Sequence, residues 1–439
     1  MFPLISVSGT PYERGRQYGV AAAARVRHSI ASYARLFAHR RGLDWPSVQA
    51  EAERYRALLV EVAPDLLEEM RGIADGAGEP VAAILALNVR TELMAGVPTG
   101  FAHPEGPAAL ARNRALGVPQ HADEAPVVPV TFGAHSIDDG ECTTVAAQPA
   151  TTAHGGTLLA QTWDWQGDQR GACVLLRVEA PGQPALLTMT EAGMLAKIGI
   201  NSAGVAVGLN LLRSHSDGRE VGMPVHVLLR KMLQAGSFAE ARALADLALP
   251  GGSSCVTLAS AAGDLVSLEL TPAGVAEVWP EEGLLVHANH CVDAGAAADE
   301  CPHEAISTSY ERYDRAAELL RAGAGAIDVA LLQAILRDRE NAPRCICRSP
   351  NLDLPPVDRG ESVCGIVIDL DARVMHVAPD VPSEVAFTPV ALYSSGHNHC
   401  APVGRAASRI SASSGSSVLL AAVGGGSSGE RSSPEQNNP

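Results

Sequence analysis

In the first third of the chain, apolar residues recur every three to four positions, the spacing of one helix face. Tyr18, Val26, Ile30, Tyr33 and Leu36/Phe37 set this rhythm over residues 12–41, with Arg and His between them. The pattern predicts further helices over 45–62, stopped by Pro64, and over 65–75, before Gly76-Ala77-Gly78. A fourth starts with Pro80 in its first turn and runs to about Glu92. Periodicity then fades among repeated prolines from Pro98 to Gly140, and this stretch reads as a long connector. At Cys142 the texture changes to short runs of Val, Leu and Thr bounded by Gly-containing turns, which predict strands over 142–148, 158–165, 173–178, 186–190 and 205–211. Helices follow at 225–235 and 238–248, and strands at 255–259, 265–270, 275–278 and 284–287. Two helices, 307–322 and 327–337, precede a last strand pair at 362–370 and 374–377.

Runs of strands followed by runs of helices give an α+β layered reading. The pattern dissolves after Leu392, and residues 403–439 form a Ser/Gly-rich tail that composition marks as disordered. With 46% hydrophobic and 19% charged residues over 439 positions, the rest of the chain can bury a large core. The formal charge of −16 and the lack of a Lys/Arg run exclude nucleic acid or an anionic membrane as the main partner. Almost all positive charge is Arg, since Lys197 and Lys231 are the chain's lysines. No secretory leader and no membrane span is visible, and the odd count of nine scattered cysteines fits reduced thiols, so a cytoplasmic location is expected.

The chemistry-bearing segment is Asp138-Asp139-Gly140-Glu141-Cys142-Thr143-Thr144, where the connector ends and the first clear strand begins. A thiol there is suited to attack the peptide bond before it, and a freed α-amine, with a pKa of about 7.7–8.0, suits a built-in general base. A buried strand cysteine is the plain alternative. Asp164 lies between Trp163 and Trp165 in an apolar strand; it is a candidate anchor for an ammonium or amide, or else a turn residue. Asn210 and Asn289, in apolar strand contexts, are candidate oxyanion donors or ordinary core amides. Arg348, after Cys345-Ile346-Cys347, is a candidate partner for a carboxylate or one surface Arg among many. His287, His290, Cys291, Cys301 and His303 are ligand-type residues, but their spacing fits no standard zinc pattern, and no metal or cofactor is expected. No GxxxxGK[ST] is present, and the GxGxxG string at 424–429 falls in the Ser/Gly-rich tail rather than between a strand and a helix.

Taken in order, these pieces resemble the acyl-CoA:6-aminopenicillanic acid acyltransferase family (peptidase family C45) of the N-terminal-nucleophile hydrolase superfamily. The resemblance rests on Gly9-Thr10-Pro11-Tyr12-Glu13-Arg14-Gly15, Gln17-Tyr18-Gly19, Leu87-Asn88-Val89-Arg90-Thr91-Glu92, Glu141-Cys142-Thr143-Thr144, Leu159-Ala160-Gln161-Thr162-Trp163-Asp164-Trp165, Ile346-Cys347-Arg348 and Ser362-Val363-Cys364-Gly365-Ile366-Val367. It implies a four-layer αββα sandwich and a precursor that cuts itself between Glu141 and Cys142. The α chain would hold residues 1–141, mainly helical with the Pro-rich connector 98–141; the β chain would carry the catalytic sandwich over 142–402, and the two would stay associated. Carried over, Cys142 is the nucleophile, Asp164 orients its α-amine, Asn289 and Asn210 stabilise the oxyanion, and Arg348 completes the charge balance around Asp164. The substrate implied is a small amide or an acyl-CoA, the latter a candidate co-substrate. Glu141 departs from the Gly that precedes the Cys in the best-known fungal member. It keeps open a non-catalytic homologue that binds an acylated ligand.

Overall fold

Two β-sheets face each other across the core and helices cover both outer faces in the computed structural model, which describes residues 1–95, 142–247, 250–301 and 308–393. The connector 98–141, with Glu141, and the tail 403–439 lie outside the described residues. The first sheet has the order β1 (Leu4–Ser8), β4 (Cys173–Glu179), β5 (Leu186–Glu191), β6 (Ile198–Asn201), β7 (Val205–Leu211), β8 (Ser254–Ser260), β9 (Leu265–Thr271), β10 (Gly274–Val278). The second has the order β11 (Leu284–His287), β2 (Cys142–Ala147), β3 (Leu158–Gln166), β12 (Gly360–Asp369), β13 (Val374–Ala378), β14 (Thr388–Ala391). Neighbours are antiparallel throughout, except that β1 runs parallel to β4.

Helices α1 (Pro11–Arg41), α2 (Trp45–Glu53), α3 (Arg56–Val62), α4 (Pro64–Ala77), α5 (Val81–Asn88) and α6 (Arg90–Ala95) come first in the chain. Helix α1, with α7 (Val225–Gln234) and α8 (Phe238–Leu247), packs on the eight-stranded sheet. After the short α9 (Ala294–Ala297), α10 (Ser309–Ala322) and α11 (Val329–Ile335) pack on the six-stranded one. Strands β2 and β3 meet β7 across the middle, and β11 meets β9, so the layers are αββα, as the resemblance implies. The period of two along β2 decides what each residue can reach. Cys142, Thr144 and Ala146 point to the eight-stranded sheet, while Thr143, Val145 and Ala147 point to α10 and α11. No helix among the described residues is long and apolar enough to cross a membrane.

Three strands go unread in the sequence because they are short edges or interrupted by Gly or Pro: β1, β6 with Gly199, and β14 with Pro389. The single helix expected over 45–62 is two, α2 and α3. Its apolar spacing runs on through Val48, Ala52, Tyr55 and Leu59, but the amides of Arg54 and Tyr55 donate to carbonyls three residues back and tighten the turn. Similarly, the helix expected from Pro80 to Glu92 is divided at Val89 into α5 and α6.

Helix α1 starts with a capping box, in which Thr10 and Glu13 satisfy each other's backbone amides. Its Gly15 and Gly19 lie against Gly72 and Gly76 of α4, so closely that a Cβ on any of the four would strike a backbone carbonyl of the other helix. Behind that contact Glu69 takes hydrogen bonds from Arg14 at 2.8 Å and Arg230 at 2.9 Å, which joins α1, α4 and α7 through one buried carboxylate. A helix-interior Gly→Ala change ordinarily stabilises by up to about 1 kcal/mol. Gly72→Ala is expected to do the opposite, costing about 1–3 kcal/mol by forcing the helices apart. A lowered thermal midpoint checks this, and an unchanged or raised one contradicts the close approach.

Candidate active site

Cys142 opens β2 beside Trp163 of β3 and is 5% exposed. Both of its peptide groups are held. Its N–H donates to Asn289 Oδ1 at 2.7 Å, and its C=O accepts from an Arg312 guanidinium N–H at 2.7 Å and from Asn210 Nδ2 at 3.1 Å. Arg312, on α10 and fully buried, also donates to Thr143 Oγ1 at 2.8 Å and to Asn289 Oδ1 at 2.9 Å. Two donors on Asn289 Oδ1 settle which way that amide faces, and its Nδ2 donates away, to Leu211 C=O at 2.9 Å. Asn210 is committed likewise. Its Nδ2 donates to the Cys142 and His287 carbonyls, and its Oδ1 accepts from Thr144 at 2.7 Å.

The thiol faces a pocket between the sheets with about 380 Å³ of space, counting its open mouth. Trp163 and Trp165 of β3 wall it from one sheet, Leu209, Leu211 and Ser254 from the other, and Arg90, Thr91 and Lys197 complete it. Burial and the nearby Asp164 charge push the Cys142 thiol up to about 12, against the opposing pull of Lys197 and Arg312. The thiol is therefore protonated at neutral pH.

Asp164 lies opposite Ser362 in the β3–β12 register and accepts from its hydroxyl at 2.6 Å. Ser362 Oγ also accepts the Arg348 amide at 2.9 Å, and the Ser362 amide donates back to the Arg348 carbonyl at 3.0 Å. Asp164 and Arg348 are thus brought to one point through Ser362, beside a bulge in β12 between Ser362 and Cys364. That irregularity aims Ser362 at Asp164, a link that strand pattern alone does not reveal.

Residues that sequence reasoning missed complete the site. Glu191, at the end of β5, is fully buried and binds Lys197 Nζ at 2.6 Å, Arg90 at 3.3 Å and the Tyr33 hydroxyl. Lys197 Nζ stands 3.3 Å from the centre of the Trp163 ring, and the Arg90 guanidinium 5.1 Å from that of Trp165. Burial works against the Glu191 carboxylate, but Lys197 and Arg90 outweigh it and hold it at about 2. Burial pushes Lys197 down to about 8 while Glu191 pulls the other way. One signal was available: in a chain with so few lysines, Lys197 occurs in the apolar run Met194-Leu195-Ala196-Lys197-Ile198. Arg312 had none, because its helix pattern marks the position as one face of an Arg-rich segment.

Among the described residues, those expected to have zinc-ligand chemistry form no shared group. His287 binds Glu269 at 2.8 Å inside the core, His290 stacks on Tyr310 and bonds Ser309, Cys301 sits near His215, and His303 lies outside the described residues. Among the described residues, His154, Asp369 and Asp371 are the group close enough to share an ion, at the opposite end of β2, β3 and β12 from Cys142.

The family model for acyl-coenzyme A:6-aminopenicillanic acid acyl-transferase matches residues 151–383. The chain is 29% identical over 391 residues, 87% of its length and 94% of the relative's, to the acyl-coenzyme A:6-aminopenicillanic-acid-acyltransferase 40 kDa form of Emericella nidulans. Solved structures similar to it include penicillin V acylase from Agrobacterium tumefaciens, with 13% identity and a TM-score of 0.37 over 54% of this chain and 82% of that one. A variant of conjugated bile acid hydrolase from Clostridium perfringens has 12% identity and a TM-score of 0.42 over 57% and 92%. On the family match, which spans more than half of its residues, and on motifs that run from Gly9 to Val367, this chain belongs to the acyl-coenzyme A:6-aminopenicillanic acid acyltransferase family.

Proposed function

We propose that the protein is a self-processing cysteine amidohydrolase or acyltransferase that acts on a small N-acyl compound or an acyl-CoA through Cys142. The observation that carries this reading is the two-sided grip on Cys142, which fixes its backbone while its thiol faces a pocket. In maturation Sγ attacks the Glu141 carbonyl carbon, the Glu141–Cys142 C–N bond breaks, and the nitrogen leaves as an amine carrying the thiol proton. Water then hydrolyses the new thioester, which frees a Glu141 carboxylate and the thiol.

In turnover the Cys142 α-amine takes the Sγ proton. The sulfur bonds the acyl carbonyl carbon, and the leaving amine or thiol departs with that proton. Water or an acceptor amine then attacks the acyl-enzyme, and Sγ is released. Asn289 Oδ1, which receives the Cys142 N–H, is suited to hold the α-amine after cleavage. Asp164, tied through Ser362 to Arg348, is suited to orient it from the other side. Of the two candidate oxyanion donors Asn289 is the better supported. Its Nδ2 donates to one carbonyl, that of Leu211, whereas Asn210 Nδ2 donates to two.

Intact mass and N-terminal sequencing of the purified protein beside Cys142→Ala test this reading. The expected result is two fragments, the larger beginning Cys-Thr-Thr-Val, and a single chain for the variant. One uncut chain in both samples favours the non-catalytic binding homologue instead. With mature protein, acyl transfer to an added amine separates transferase from hydrolase. Arg312→Met strips a donor from both Cys142 C=O and Asn289 Oδ1. It is expected to slow processing at least tenfold and to cost about 3–5 kcal/mol of stability, as losing one partner of a buried charged network does. Arg312→Lys should recover part of the processing rate; equal rates in all three chains count against the grip.

A further inference from the structure

Two buried cations, Arg90 and Lys197, line the pocket that holds the Cys142 thiol. Arg90 and Lys197, both nearly inaccessible, bind a single carboxylate, that of Glu191, and the Tyr33 hydroxyl donates to it as well. Two further carboxylates act on the same place, Asp164 on the Cys142 thiol and Glu92 on Arg90, and a cation buried there is held only by such partners. The other ionisable pocket residues are Cys142 and Asp164. Asp164 is on the alternate face of β3 from Trp163, bonded to Ser362. Arg312 comes from α10, on the far side of β2, and spends its donors on the Cys142 carbonyl, Thr143, Asn289 and Thr308. The thiols of Cys364 on β12 and Cys173 on β4, the latter close to Lys197, are pushed up by burial and stay neutral.

Lys197 is different in kind. Glu191 and the Trp163 face fix its ammonium, and Trp163 is the register partner of Cys142. Among the cations acting on the thiol, Lys197 is the strongest in favour of ionisation.

We propose that Lys197, held by Glu191 and Trp163, is the counter-charge that stabilises the Cys142 thiolate. The proposal rests on the reading of Cys142 as nucleophile. In the reacting enzyme the Sγ proton goes to the Cys142 α-amine. The Lys197 ammonium keeps its own protons and forms no covalent bond, and its charge offsets that of the sulfur until the C–S bond forms.

The test is the pH profile, from about pH 6 to 10, of iodoacetamide modification at Cys142. It is read by peptide mass on the full chain in the parent, Lys197→Met, Lys197→Gln and Lys197→Arg. Lys197→Met and Lys197→Gln are expected to react at least tenfold more slowly at pH 7, where Lys197 is charged, a rise of about one unit in the thiol pKa. Lys197→Arg is expected to stay within about threefold of the parent, since charge-to-thiolate pairing is what lowers the pKa. In Lys197→Met and Lys197→Gln the Glu191 carboxylate keeps Arg90 and the Tyr33 hydroxyl, so no buried charge is left alone, and the glutamine variant reports if the methionine one does not fold. A parental profile in Lys197→Met or Lys197→Gln, or an arginine variant as slow as the methionine one, overturns the proposal. Modification is read whether or not Cys142 turns over substrate. An active, processed Cys142→Ala would therefore defeat the nucleophile reading while leaving the Lys197 result to stand on its own.

Discussion

The Cys142 amide donates to Asn289 and the Cys142 carbonyl accepts from Arg312 and Asn210, so the residue is gripped on both sides while its thiol remains toward the pocket. Each contact comes from a different part of the fold. Asn289 follows β11, Arg312 projects from α10, and Asn210 ends β7 of the facing sheet. The site therefore exists only where three layers meet, and its geometry is set by how closely they stack. Arg312 has the widest reach, because a guanidinium offers several donors in a fixed plane and can satisfy a carbonyl, a hydroxyl and an amide oxygen at once.

Around this grip the interior is unusually ionic. Glu69 joins three helices through Arg14 and Arg230, Glu191 gathers Lys197, Arg90 and Tyr33, and Glu269 holds His287 and the amides of Val292 and Asp293. Buried carboxylates of this kind are stable only when several donors meet them. The Glu269 cluster holds the chain on both sides of Asn289, at His287 and at Val292 and Asp293. Burial disfavours a charged His287, but Cys255 and Glu269 prevail and raise it to about 10, so this ring is an imidazolium at neutral pH. The Glu191 cluster keeps two cations at the pocket wall instead. One interior motif thus serves helix packing in one place and the electrostatics of a thiol in another.

The helical segment also has a direct part in the pocket. Glycines let α1 and α4 touch backbone to backbone, and that compact pair carries Tyr33 to Glu191. Arg90 and Thr91 at the start of α6 then reach the pocket wall. A segment that reads as a simple amphipathic array is, by this route, part of the site.

The order of helices and strands was largely legible in the sequence, because periodicity reports which side of an element meets the core. Cys142, Asp164, Asn210 and Asn289 could be singled out as polar or thiol groups in apolar strands, where burial demands a reason. Neighbouring residues within one element were accessible in the same way, such as the alternation that sends Thr143 and Thr144 to opposite sides of β2. Tertiary structure alone decided which long-range partners meet: Arg312 with the Cys142 carbonyl, Ser362 between Asp164 and Arg348, and Glu191 with Lys197 and Arg90. Hydrogen bonds and ion pairs act over a few ångströms, and the residues that form them are separated by up to two hundred positions along the chain, so no local pattern records the pairing. The facing direction of the Asn289 amide is of the same kind, set by donors from β2 and α10 rather than by anything in its own segment.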